Sequence, residues 1–355
     1  MKESSSGLSG NKITVVVVDD SAFMRKALSS MLNNDPNIDV VATAKNGKEG
    51  LDVIRQYNPD VVTMDIEMPE MDGLTALKRV MMEMPRPVIM VSSLTTDGAE
   101  ATLKAMENGA VDFIPKQLSK VSLDIIKIEE ELREKVRSVA RRRVAPVRPR
   151  KKDDGEPLTV RKGVRCRDIV VIGVSTGGPP VVQRILSELP KDFPASILIA
   201  QHMPKAFTGP FARRLNDSSE LFVKEAETGD AVAPGKVYVA PGGSHIVLDR
   251  QGIMPVVKVT SEPASALYKP SADVLFASAG EVAGDRTLGV MLTGMGHDGV
   301  EGMRVLKEKG GKGLAQSEAT CVVYGMPKAV VDAGLVEKVF DLDAIAEGIL
   351  TYIYS

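Results

Sequence analysis

Only three histidines occur in the 355 residues, His202, His245 and His297, and each lies in a turn-forming segment. A nucleophilic serine needs such a base within reach. Ser175 suits the role: in IVVIGVSTGGPPVVQRIL a buried apolar strand gives way through a Ser-Thr-Gly-Gly turn to an amphipathic helix. A turn of that kind can hold a hydroxyl on a tight bend, with backbone N–H groups beside it for an oxyanion. It can equally cradle a phosphate at the helix N-terminus, although neither GxGxxG nor a GxxxxGKS/T pattern is present. His202 follows the strand SILIAQ at its carboxyl end, the place for a base relative to Ser175 on the preceding βα unit. Asp298, in the turn GMGHDG after the strand TLGVMLT, is placed at the same rim and is the candidate orienting carboxylate. The chain order Ser175, His202, Asp298 is unusual, but triads are defined by geometry and role. His245, in APGGSH, reads as a solvent-exposed or core-satisfied side chain. His297 neighbours Asp298 without needing to share its direction.

A second set of reactive groups lies in the N-terminal half. Asp19 and Asp20 end the apolar strand in VVVVDDSAFMR, and Asp65 ends the strand in VVTMDIEMPEMDG. Three converging carboxylates call for a cation, and a hard, oxygen-liking ion such as Mg²⁺ fits. One aspartate alone would read as a cap for the helix beginning near Ser21. Two further strand ends favour chemistry: Ser92 closes VIMVSS and Lys116 follows DFIP. A hydroxyl and an ammonium beside a metal-bound carboxylate are what an acyl phosphate requires.

The elements that must position these groups alternate short β-branched runs with helical stretches, which predicts parallel sheets covered by helices. Candidate strands are 13–18, 39–43, 60–64, 87–91 and 111–114 in the first half. In the second they include 169–174, 196–200, 236–240, 254–259 and 288–293. Residues 118–140 read as a terminal amphipathic helix. A length of 355 residues suits two domains. Charge nearly cancels, 45 Lys+Arg against 47 Asp+Glu, but Arg141–Arg165 carries ten basic and three acidic residues, with prolines at 146, 149 and 157. That is a linker composition. It lacks the interleaved aromatics or recognition helix of a nucleic-acid site. The expected division is a disordered lead-in 1–11, a domain 12–138, a basic linker 139–165 and a domain 166–355. No apolar run approaches the roughly 20 residues that cross a bilayer, and residues 1–12 lack a signal-peptide centre. The expectation is a cytoplasmic protein without membrane insertion. Cys166 and Cys321 have no CxxC or CxxH partner, which argues against a zinc site or disulfide framework.

The first half resembles the response-regulator receiver domain over its full length. The resemblance implies a flavodoxin-like fold with Asp65 as the phosphorylated residue. It makes Asp19, Asp20, Asp65 and the backbone carbonyl of Glu67 the Mg²⁺ site, Ser92 and Lys116 phosphate ligands, and Phe113 an aromatic switch. One departure is that proline precedes the lysine, as Pro115, while Gln117 follows it. The motifs GVSTGGP, AQHMP, VAPGGSH and LTGMGHDG, after a receiver and a linker, resemble the CheB family of chemotaxis protein-glutamate methylesterases and protein-glutamine deamidases. This resemblance spans essentially the whole chain beyond residue 12. It implies two doubly wound α/β domains, the second Rossmann-like. It also implies Ser175 as nucleophile, His202 as base, Asp298 as orienting carboxylate, and Thr176, Gly177 and Met295 around the oxyanion. His297 occupies a variable slot of the turn. The implied partners are the chemotaxis histidine kinase CheA as phosphodonor and methyl-accepting chemotaxis receptors as substrate, with no nucleic acid. Mg²⁺ would serve phosphorylation, and the serine chemistry itself calls for no cofactor. The unphosphorylated receiver is expected to restrain the hydrolase. Two other readings are a receiver-gated, non-catalytic binding module and a small-molecule serine esterase.

Overall fold

The computed structural model describes residues 12–116, 122–140, 158–159, 165–252 and 254–355. The lead-in 1–11, Gln117 and most of the expected linker lie outside them. Among the described residues no helix is long and apolar enough to cross a membrane.

Five parallel strands form the first sheet: β1 (Ile13–Val18), β2 (Ile38–Ala44), β3 (Val61–Asp65), β4 (Val88–Ser92) and β5 (Asp112–Pro115), in the order β2-β1-β3-β4-β5. Val15–Val18 are fully buried, which explains why β1 is continuously apolar rather than alternating. Helices α1 (Ala22–Asn33), α2 (Gly47–Tyr57), α3 (Gly73–Glu83), α4 (Thr96–Glu107) and α5 (Ser122–Val139) follow the strands in turn, with α1 packed beside α5 and α2 beside α3. Along α5, Ile128, Leu132 and Val136 are buried, whereas Ile126 is exposed. Strand order reverses between β1 and β3, so Asp19, Asp20 and Asp65 sit at a topological switch point, where ligands of such sheets bind.

Seven parallel strands form the second sheet. In chain order β6 is Ile169–Val174, β7 Ser196–Gln201, β8 Phe222–Glu225 and β9 Lys236–Val239; a separate antiparallel hairpin joins β10 (His245–Gln251) to β11 (Met254–Thr260). Then come β12 (Thr287–Met291), β13 (Lys312–Gln316) and β14 (Lys338–Phe340), and the sheet order is β14-β13-β12-β6-β7-β9-β8. Helices α6 (Gly178–Glu188), α7 (Lys205–Ser218), α8 (Ala272–Ala283), α9 (Val300–Glu308), α10 (Met326–Asp332) and α11 (Leu342–Ile353) complete it. Val171, Leu198, Phe276, Met291 and Leu306 belong to one fully buried cluster. Each such side chain contributes about 1.5–3 kcal/mol by leaving water.

One sequence expectation needs correcting. The run 254–259 is not a strand of the parallel sheet but the return arm of the hairpin, with His245 opposite Thr260. Of Met254–Thr260 only Val257 is buried, the burial of a ribbon covered on one side. The chain winds from β6 outward to β7 and β9, then returns to lay β12 on the other side of β6. Ser175 follows β6 at that second switch point.

Candidate active site

Ser175 is held by its backbone from three directions. Its N–H donates to Thr293 O at 3.0 Å, and its carbonyl accepts from Gly178 N at 2.8 Å and from Gln201 Nε2 at 3.0 Å. The turn it begins needs glycine: Gly177 has φ +75°, and a Cβ there would lie 2.1 Å from Val322 Cγ2. Pro179 then falls in the first turn of α6, where its missing N–H is harmless. Val174 pairs with Gln201 across β6 and β7, so Ser175 and His202 are the next residues on neighbouring strands, and His202 N donates to Val174 O at 3.0 Å. The turn after β12 touches the same place: a Cβ on Gly294 would lie 2.9 Å from Ser175 Cβ. Thr176 and Gly177 from one turn, and Met295 from the other, therefore border the serine. Thr293 ties the two turns together, since its hydroxyl donates to Thr176 O at 2.9 Å.

Asp298 and His202 meet. Imidazole Nε2 lies 2.7 Å from Asp298 Oδ2, and both side chains are almost wholly buried. Asp298 also accepts from Ala272 N at 2.6 Å on Oδ2, and from Ser271 Oγ at 2.8 Å and Asp273 N at 3.2 Å on Oδ1. The carboxylate thus sits on the N-terminus of α8, where backbone N–H groups and the helix dipole favour negative charge. Burial pushes its pKa up, but the His202 hydrogen bond and charge, Ala272 N–H and Ser271 hydroxyl outweigh it and hold the carboxyl down to about 2. With Nε2–H donated to an ionised carboxylate, Nδ1 is the basic atom of the ring. Nδ1 is buried and has no hydrogen-bond partner among the described residues. The expected chain from serine through histidine to aspartate is therefore present in its second link, and Ser175 Oγ makes no hydrogen bond to the ring. Tyr268 stacks on the imidazole, with centroids 4.2 Å apart and planes at 11°.

His245 and His297 separate clearly. His297 is exposed. His245 is fully buried on β10, and its Nδ1 accepts from Ser271 N at 3.2 Å. Burial lowers its pKa, which favours the neutral ring that can act as this acceptor. Ser271 is the N-cap of α8, accepting from Val274 N while donating to Asp298. Sequence reasoning missed Ser271, although a serine just before an apolar helical run is a legible cap signal. His245→Leu would strand a buried N–H, worth about 1–3 kcal/mol. The expected result is a melting transition about 4–8 °C lower, with His245→Asn, which retains an acceptor, recovering part of the loss. An unchanged transition in the leucine variant would show that Ser271 does not depend on His245.

The acidic pocket of the first sheet is built as tightly. Asp19 and Asp65 are buried and Asp20 is exposed; each offers an oxygen, all within 4.8 Å of one another. Ser21 caps α1, and Asp19 Oδ1 accepts from Ser21 N at 2.9 Å, so neither Asp19 nor Asp20 is the cap. Arg25 donates to the carbonyls of both aspartates and fixes the turn. Lys116 Nζ lies 2.6 Å from Asp65 Oδ2 and 3.1 Å from Asp19 Oδ2, even with Pro115 before it. Burial raises the Asp65 pKa to about 6, against the lowering effect of Lys116. Burial alone would lower that of Lys116, but Asp65 and Asp19 raise it. Glu67 donates its N–H to Asp65 Oδ1 at 3.3 Å. Gly73 closes the loop against the carboxylate strand, since a Cβ there would lie 1.9 Å from Asp65 O. Ser92 and Phe113 are buried, and Phe113 O accepts from the buried ammonium of Lys135 at 2.7 Å.

Residues 170–349 match the family model described as CheB methylesterase, and residues 15–126 match that of the response regulator receiver domain. The chain belongs to the CheB methylesterase family, with a receiver domain ahead of the methylesterase domain. It is 61% identical to the protein-glutamate methylesterase/protein-glutamine glutaminase 2 of Nitratidesulfovibrio vulgaris, covering 97% of this chain and all of that one. A Pyrococcus abyssi protein-glutamate methylesterase/protein-glutamine glutaminase is 43% identical, over 97% of this chain and 94% of its own. Among solved structures, the catalytic domain of Thermotoga maritima CheB methylesterase is similar at 42% identity and a TM-score of 0.51, over 52% of this chain and 98% of that one.

Proposed function

We propose that this chain is a phosphorylation-gated hydrolase that removes methyl groups from glutamate methyl esters on methyl-accepting chemotaxis receptors, and converts glutamine to glutamate at the same site. The observation that carries the reading is the buried His202–Asp298 pair beside Ser175, at the carboxyl ends of three adjacent strands. Ser175 Oγ attacks the side-chain carbonyl carbon while His202 Nδ1 takes its proton. Negative charge on the carbonyl oxygen is met by backbone N–H groups of the Thr176–Gly177 turn and of Met295. The imidazolium returns the proton to the departing oxygen, methanol leaves, and an acyl-enzyme remains. A water, deprotonated by Nδ1, then cleaves the acyl bond and restores Ser175. For glutamine the leaving group is ammonia. Asp298 remains ionised throughout, holding the imidazole in the tautomer that leaves Nδ1 basic.

In the receiver, Asp65 accepts a phosphoryl group from the chemotaxis histidine kinase CheA. The donor set fits Mg²⁺: hard carboxylate oxygens converge, and Asp19 Oδ2 and Asp65 Oδ2 are buried with no partner beyond the Lys116 ammonium among the described residues. Asp19, Asp20, Asp65 and the carbonyl of Glu67 would hold the ion, which neutralises phosphoryl charge when bound. Lys116 contacts one phosphoryl oxygen and Ser92 another, and the movement of Ser92 passes to Phe113.

Methanol release from methylated receptor by the full chain tests the reading. Release that rises on adding a small acyl-phosphate donor with Mg²⁺ supports both halves, and no release overturns the hydrolase. With the modules taken as 12–138 and 166–355, a chain beginning at residue 139 is expected to exceed the basal rate of the unphosphorylated full chain and to ignore the donor. An equal basal rate would overturn restraint by the receiver.

A further inference from the structure

We infer that Tyr268 is a positioning residue for the hydrolytic base, an assignment that rests on the roles proposed for Ser175, His202 and Asp298. The only side-chain hydrogen bond holding the His202 ring among the described residues runs from Nε2 to Asp298. Nε2 lies closer than Nδ1 to the Cβ–Cγ axis about which the ring turns. A bond to that atom restrains the rotation less than one to Nδ1 would, and it is this rotation that swings Nδ1 toward or away from a neighbouring hydroxyl. A flat group stacked on the imidazole removes the freedom that the hydrogen bond leaves. Tyr268 is that group, nearly parallel to the ring at 4.2 Å.

Its own placement is constrained at both ends. The tyrosine hydroxyl lies 3.4 Å from where a Cβ on Gly296 would be, so the ring spans from His202 to the turn carrying Met295. On the chain side, the next residue, Lys269, has its carbonyl tied to Gly243 N at 3.1 Å, and Ser271 is anchored on His245. Tyr268 thus couples the base to both the oxyanion turn and the cap that feeds Asp298. When Ser175 gives up its proton the imidazole becomes a cation lying on the face of an aromatic ring, an attractive arrangement that exists only after proton transfer. An interaction stronger in the transition state than in the ground state appears in kcat rather than KM.

The test compares Tyr268→Leu and Tyr268→Phe in the full chain, with methylated receptor as substrate. Tyr268→Leu is expected to lower kcat about tenfold with KM little changed, whereas Tyr268→Phe, which keeps the aromatic face, recovers most of kcat. The three histidines of the chain make the ring-proton NMR spectrum simple. The His202 signals should move downfield in the leucine variant, where the ring current is lost, and stay near their original positions in the phenylalanine variant. Full kcat in the leucine variant, equal losses in both variants, or a loss confined to KM would each overturn the assignment. An inactive wild-type chain would instead defeat the hydrolase reading itself, so the two failures are distinguishable.

Discussion

Asp298→Asn is expected to lower kcat about 10³- to 10⁴-fold, read as methanol release from methylated receptor. Each carboxylate oxygen accepts twice: Oδ2 from His202 and Ala272 N, Oδ1 from Ser271 Oγ and Asp273 N. An amide has only one acceptor oxygen, so either orientation turns its NH₂ on two donors. If the NH₂ faces His202, the imidazole must accept at Nε2 and carry its proton on Nδ1, the wrong tautomer for receiving one from serine. Ala272 N–H also loses its acceptor, a buried donor left unmade. If the NH₂ turns the other way, Ser271 can rotate to accept from it, but Asp273 N–H opposes it and the negative charge facing the imidazolium is gone. With the carboxyl pKa near 2, that charge is present at every working pH, so the loss should appear across the whole profile. A decrease of less than about tenfold would remove Asp298 from the mechanism.

Ser175→Ala should be more damaging still, on the order of 10⁵- to 10⁶-fold in kcat, because it deletes the bond-forming atom. The structure makes the substitution a clean one. All three of the hydrogen bonds described for Ser175 are made by its main chain, and alanine retains the Cβ that packs near Gly294. The melting transition should therefore be unchanged, while labelling by a serine-directed phosphonate disappears. Turnover persisting in this variant would transfer the nucleophile to another group and leave the His202–Asp298 pair without its proposed role.

Much of the strand pattern was legible because these strands are buried on both faces. Runs such as IVVIGV carry no polar interruption, and most expected boundaries fall within a residue of the observed ones. Legibility failed where burial is one-sided or partial. The hairpin strand Met254–Thr260 fully buries only Val257, and its apolar run reads as a strand of the parallel sheet, although Gly252, with φ +64°, marks the turn before it. The edge strands Phe222–Glu225 and Lys338–Phe340 are short and bury only Val223 between them, and leave no apolar run to find. The site divides in the same way. Ser175, His202 and Asp298 were nominated by their positions at strand ends, which the sequence displays. Tyr268 and His245 act through contacts to residues 66 and 26 positions away, and no local spacing announces a ring stacked on another ring. Which imidazole nitrogen faces the aspartate was likewise invisible until the fold fixed the ring.

The order of strands in the second sheet also governs when a newly made chain can act. Ser175 and His202 emerge early and adjacent, but β6 pairs with β12, joining Ile169 to Thr287, and Thr293 N is bonded to Gln316 Oε1. The sheet must close a loop of more than a hundred residues before Asp298 can meet His202, the kind of distant contact that makes parallel sheets slow to assemble. On the ribosome, a chain that has already completed its receiver and Ser175 therefore cannot bring His202 and Asp298 together until β12 and the turn after it have been synthesised and docked. The proposed hydrolysis is consequently withheld until Asp298 has been carried to the rim that holds Ser175 and His202.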